Sequence, residues 1–81
     1  MSSEEKLIQK ILAGKSISYK DAEKILLRLG FDVKITASHH IFRKKGYATN
    51  VSLKRRAELL SYQIKILQEV LEDHGYKKEN Y

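Results

Sequence analysis

The chain contains no cysteine. That excludes a disulfide framework and a thiolate zinc site, and it suits a reducing compartment. It holds no apolar run near the ~20 residues needed to span a bilayer. There is no internal repeat and no low-complexity tract. Its first residues, Met1-Ser2-Ser3-Glu4-Glu5, carry acids where a secretory leader carries Lys or Arg. The expectation is a soluble, cytoplasmic protein with no membrane partner. The most informative absence is local. From Val33 to Ala57 there is no Asp or Glu, yet that block holds Lys34, Arg43, Lys44, Lys45, Lys54, Arg55 and Arg56. The net charge of +6 is therefore concentrated in one stretch, and the rest of the chain is close to neutral. Such a block points either to a polyanion partner or to a plain solvated face.

What is present fits one small domain spanning 1–81. A chain this short buries only about 60% of the surface its unfolded form exposes, so several elements must share one core. Glu4 to Ala13 reads as a short helix with Leu7/Ile11 and Ile8/Leu12 on adjacent lines and Gly14 as its stop. Ser18-Tyr19-Lys20-Asp21 is close to a capping box. The helix after it carries Ala22, Ile25, Leu26 and Leu29 at helical spacing, with Lys20, Lys24 and Arg28 on another face. Gly30 closes it, and Phe31 is expected to pack back.

Three extended runs follow. Asp32 to Thr36 alternates, with Val33 and Ile35 on one face. His39 to Lys44 comes next, then a turn at Lys45-Gly46. The third run, Tyr47 to Leu53, sets Tyr47, Thr49, Val51 and Leu53 on one face. The last helix runs roughly from Leu60 to His74 and stops at Gly75, with Leu60, Ile64, Leu67 and Leu71 in its stripe. The expected fold is α+β: α-β-β-β-α with a three-stranded antiparallel sheet covered on one face by helices, plus an extra N-terminal helix. This is also the topology of double-stranded-RNA-binding domains.

The chemistry-bearing residues centre on Ser38-His39-His40-Ile41-Phe42-Arg43. Neighbouring strand residues point to opposite faces, so His39 and His40 do different jobs. Either Phe42 or Ile41 is the inward residue. Phe42 inward is preferred because it leaves Arg43 and His39 together on the wet face. His39 then suits general acid/base work, since histidine is the side chain whose ordinary pKa lies near neutrality. A neutral imidazole takes the proton of a ribose 2′-hydroxyl, and the 2′-oxygen attacks the adjacent phosphorus. Ser38 and His40 are candidates for support. Lys34, Arg43, Lys44, Lys45, Lys54, Arg55 and Arg56 are candidate phosphate contacts. The bland alternative makes His39 a phosphate donor or a bystander.

No metal site is expected, because divergent neighbours do not converge on one ion. His74 falls at a helix C-terminus, which favours a cation. Tyr47 and Tyr62 are read as packing residues, with base stacking as the alternative.

The chain resembles the HicA family of bacterial toxins, small ribonucleases of type II toxin–antitoxin modules. The likeness covers about Ser18 to Tyr76, beyond an N-terminal extension at residues 4–13. It rests on Leu29-Gly30-Phe31 and on Ser38-His39-His40-Ile41-Phe42-Arg43. Leu60-Ser61-Tyr62-Gln63-Ile64 also looks like the start of the last helix in one branch of the family. The resemblance implies a double-stranded-RNA-binding-like fold and an endoribonuclease that cleaves mRNA and blocks translation without a cofactor. It makes His39 the catalytic histidine, and it implies a HicB-type antitoxin as protein partner. Two positions depart from the family pattern. Ala37 stands where the family usually has glycine, and the third strand reads Val51-Ser52-Leu53-Lys54 where a Pro and a His are usual. Two other classes stay open: a non-catalytic RNA-binding module, and an adaptor for an acidic protein.

Overall fold

The structure, a computed structural model, describes residues 3–37, 39–54 and 58–78. The described residues form a small α+β fold with three helices and an open three-stranded antiparallel sheet, compatible with an α-β-β-β-α arrangement. The elements run α1 (Ser3–Leu12), α2 (Tyr19–Arg28), β1 (Asp32–Thr36), β2 (His39–Lys44), β3 (Tyr47–Lys54) and α3 (Ser61–Asp73). Strand order is β1-β2-β3, a meander with β2 in the centre. Among the described residues, no helix is long and apolar enough to cross a membrane.

Each helix begins and ends for a local reason. Glu4 and Glu5 sit in the first turn of α1, where carboxylates suit the helix dipole. The α1 carbonyls of Ile11 and Leu12 accept hydrogen bonds from Gln68 Nε2 of α3, at 3.0 and 3.3 Å. The last carbonyls of a helix lack donors within it, and that of Ile11 also accepts from the Gly14 N–H at 2.9 Å. The Ser18 hydroxyl caps α2 by accepting from the Asp21 N–H at 3.2 Å. After Arg28 the chain turns left-handed at Gly30, with φ of +98°. The Phe31 N–H reaches back to the Leu26 carbonyl at 3.1 Å, and the Phe31 side chain is buried. That is a glycine-closed helix end with its apolar contact in place. At the start of α3 the Leu60 N–H donates to Gln63 Oε1 at 2.9 Å. This satisfies an end-of-helix donor and explains why Gln63 is buried among apolar side chains.

The core lies between the helices and one face of the sheet. Ile8, Ile11 and Leu12 of α1 join Ala22, Ile25 and Leu26 of α2, Phe42, Val51 and Leu53 of the sheet, and Leu67, Val70 and Leu71 of α3. The N-terminal helix is thus part of the common core, and Ile11 is wholly buried. A helix of this length would be marginal alone. It holds because its apolar stripe is covered.

The strand register adds detail to two of the expected faces. Ile35 shares a face with Val33 but stays 62% exposed, because β1 is an edge strand and the helices do not cover its end. Tyr47, Val51 and Leu53 lie on the helix side as expected, but regular pairing lapses between Val51 and Tyr47. Pairing runs from Phe42↔Val51 to Lys44↔Tyr47 with an irregularity between, so β3 takes four residue steps where β2 takes two. Thr49 is exposed as a result, as expected where a bulge leaves residues out of the ladder.

Beyond the bulge the hairpin is fastened to the end of α3. Tyr47 packs on Phe31 and His74, and its hydroxyl donates to Asp73 Oδ2 at 2.6 Å. Burial first, then that hydrogen bond, push the Tyr47 hydroxyl up to about 12. A group whose pKa rises on folding adds stability that is fully present below its unfolded value, ~10 for tyrosine. That stability is lost as pH climbs through the folded value. Denaturant midpoints of the parent should therefore fall between about pH 10 and 12. A Tyr47→Phe variant should lack that component of the fall.

Candidate nucleic-acid interface

The strand register sorts the basic block residue by residue. On the sheet face away from the helices, His39 pairs with Thr36 of β1 on one side and with Lys54 of β3 on the other. The next row is Lys34, Ile41 and Ser52. Directly paired Cα atoms in an antiparallel sheet lie about 4.5–5.5 Å apart. Successive rows on one face lie roughly 7 Å apart. His39, Lys34 and Lys54 are all exposed and sit together at the turn end of β2. Among the described residues, neither ring nitrogen of His39 makes a hydrogen bond.

The remaining cations are not equivalent to these. Arg43 shares the His39 face but lies about 13 Å along the strand, where its cross-strand partner is Asp32. The acid-free block begins just after Asp32, yet the fold returns that carboxylate to the basic face. Lys45 is exposed in the β2–β3 turn, at the far end from His39. Lys44, expected as a phosphate contact, lies apart from the His39 face. Strand alternation turns it to the helix side, where Nζ donates to His74 Nε2 at 2.9 Å and lies 5.9 Å from the centre of the Phe31 ring. Ser38, Arg55 and Arg56, named above as support and phosphate contacts, lie outside the described residues.

That contact also engages His74, the C-cap of α3. Its Nδ1 is 2.7 Å from the Val70 carbonyl, which only accepts, so Nδ1 carries the proton. The Lys44 ammonium only donates, so Nε2 carries none. Lys44 brings its positive charge to the C-terminal end of α3, where a cation is favoured. Tyr62, expected to pack, is instead 57% exposed.

His40 occupies the opposite face, in one row with Ile35 and Leu53. The Tyr19 hydroxyl donates to Glu23 Oε2 at 2.9 Å, and Tyr19 Oη also contacts His40 Nδ1. A hydroxyl has one proton to give, and an ionised carboxylate only accepts. Nδ1 of His40 is therefore the donor to Tyr19. The two rings meet edge-on, with centroids 4.8 Å apart and planes at 77°. Tyr19 and Glu23 did not stand out in the sequence. Their i, i+4 spacing puts them on one helix face, but nothing local says that a histidine 21 residues away completes the chain.

The turn leading into His39 carries backbone strain. Ala37 has φ of +49°, a left-handed conformation that costs an L-residue about 1–2 kcal/mol. An Ala37→Gly variant recovers that cost but gains about 0.4–1 kcal/mol of unfolded-chain entropy. The expected net effect is a stabilisation of up to about 1.6 kcal/mol. For a domain of this size it would raise the melting temperature by roughly 4–8 °C per kcal/mol.

Among the described residues, no group of three or more His, Cys, Asp or Glu side chains is placed to hold a metal ion. No protein-family model, no curated protein and no solved structure matches the chain.

Proposed function

We propose that the chain is an RNA-cleaving toxin, a HicA-like endoribonuclease with a double-stranded-RNA-binding-like fold, acting in the cytoplasm and restrained by a HicB-like antitoxin. The observation that supports it best is the row Thr36, His39 and Lys54, with Lys34 in the next row. It sets one exposed imidazole between two exposed ammonium groups on a flat, open face. In this reading, neutral His39 removes the proton from a ribose 2′-hydroxyl. The 2′-oxygen forms a bond to the adjacent phosphorus, and the bond from phosphorus to the 5′-oxygen breaks. The leaving oxygen takes a proton from water, and the product ends in a 2′,3′-cyclic phosphate. Lys34 and Lys54 stabilise charge on the phosphoryl oxygens as it develops. The chemistry needs a 2′-hydroxyl, so RNA is cut and DNA is not.

The second reading is a non-catalytic RNA-binding module, with Lys34, His39, Lys54 and Arg43 as phosphate contacts. One observation favours it: among the described residues, no group orients the His39 ring, whereas a base held for catalysis usually has such a partner. Incubating RNA with the parent and with His39→Ala, and assaying for cyclic-phosphate ends, separates the two.

A further inference from the structure

Two features of the helix-side face, at the same end of the sheet, have no part in the chemistry above. One is the Glu23–Tyr19–His40 chain, which places the His40 proton on Nδ1. Nε2 is then the ring's acceptor in the neutral state, and among the described residues nothing bonds to it. The other is Ile35, paired with His40 across the strands and 62% exposed on an edge strand. Tyr19 is almost wholly buried, so it is a fixed support. His40 is half-buried, within reach of a ligand arriving over Ile35. The basic row of His39 and Lys54 lies just across the sheet, and among the described residues no strand pairs with the outer edge of β1.

We propose that Ile35 and His40 form a nucleobase subsite for the nucleotide next to the phosphate held at His39. Ile35 offers an apolar platform to the face of the base. His40 Nε2 accepts a hydrogen bond from an exocyclic amino group. Tyr19 and Glu23 are positioning residues that keep the acceptor atom outward. The subsite therefore favours cytosine over uracil and adenine over hypoxanthine, because the disfavoured bases present a carbonyl to the same acceptor. This inference rests on the RNA-cleaving reading above.

The test uses the full chain and short single-stranded RNAs that differ at one position beside the cut. The pairs compared are cytidine against uridine and adenosine against inosine. The expected ratio of cleavage rates is about threefold to tenfold, the size of one hydrogen bond. Tyr19→Phe keeps the ring but loses the support, so its ratio should fall toward one. Glu23→Gln still accepts from Tyr19 and should keep the ratio. Ile35→Ser should weaken RNA binding at that position without stopping cleavage. Melting temperatures identify variants that merely unfold, and Glu23→Ala, which removes the acceptor of the Tyr19 proton and should also lower the ratio, serves where Tyr19→Phe does not fold. A parent that cleaves with a ratio near one overturns the subsite and leaves the nuclease reading standing. So does a ratio that Tyr19→Phe leaves unchanged. A parent that cleaves no RNA overturns both.

Discussion

Replacing His39 with alanine should lower the rate of RNA cleavage by about 10²- to 10⁴-fold, the usual contribution of a positioned acid–base group. The loss should appear with little change in folding, because His39 is exposed and lies outside the core cluster. Affinity for RNA should fall much less than the rate, since Lys34 and Lys54 remain on the same face. Phosphate contacts of that kind supply most sequence-independent binding and make it sensitive to salt. Three outcomes are informative. Cleavage by the variant at the parent's rate removes His39 from the chemistry. Salt-dependent binding by both proteins with cleavage by neither makes the protein a binding module. Absence of RNA binding even at low salt leaves the adaptor reading. Substrate in which the 2′-hydroxyl is replaced by hydrogen is a second check, because the proposed nucleophile is then missing.

The sequence carried this face further than its charge alone suggested. Alternation assigned His39 and Arg43 to one side and His40 and Phe42 to the other. The register agrees, because a one-residue slip would expose the whole apolar set. Helix ends were legible for a similar reason: Ser18, Gly30 and Gly75 act within a few residues of themselves. What escaped the sequence depends on distant partners. The bulge between Phe42 and Lys44 has no local signal, yet it sets where Tyr47 and Lys44 meet α3. Lys44 reads as one more cation until His74 and Phe31 are folded beneath it. Ile35 has the pattern of a core residue, but its exposure follows from its place at the uncovered end of an edge strand. The positive φ of Ala37 has no signal in the residue itself, because alanine seldom takes that conformation.

The largest effect on stability is expected at Phe42. It is wholly buried in the central strand, its ring 6.4 Å from that of Tyr19, and it packs in one cluster with residues of all three helices. Truncating a buried phenylalanine to alanine costs about 3–5 kcal/mol, from lost transfer energy and the cavity left behind. A protein of this size has a total stability of roughly 4–12 kcal/mol, scaled per residue. Phe42→Ala should therefore remove much of it and leave a substantial unfolded fraction at 37 °C. Ile41→Ala is the matched control. Ile41 sits one position earlier on the same strand but faces the open side, half-buried in the row of Lys34 and Ser52. Its loss should cost no more than about 1 kcal/mol, as for truncations away from the core. Urea denaturation of the two variants measures the difference. Equal losses, or a larger loss at Ile41, would mean that the strand faces are reversed. His39 would then turn toward the helices, and the proposed site would go with it.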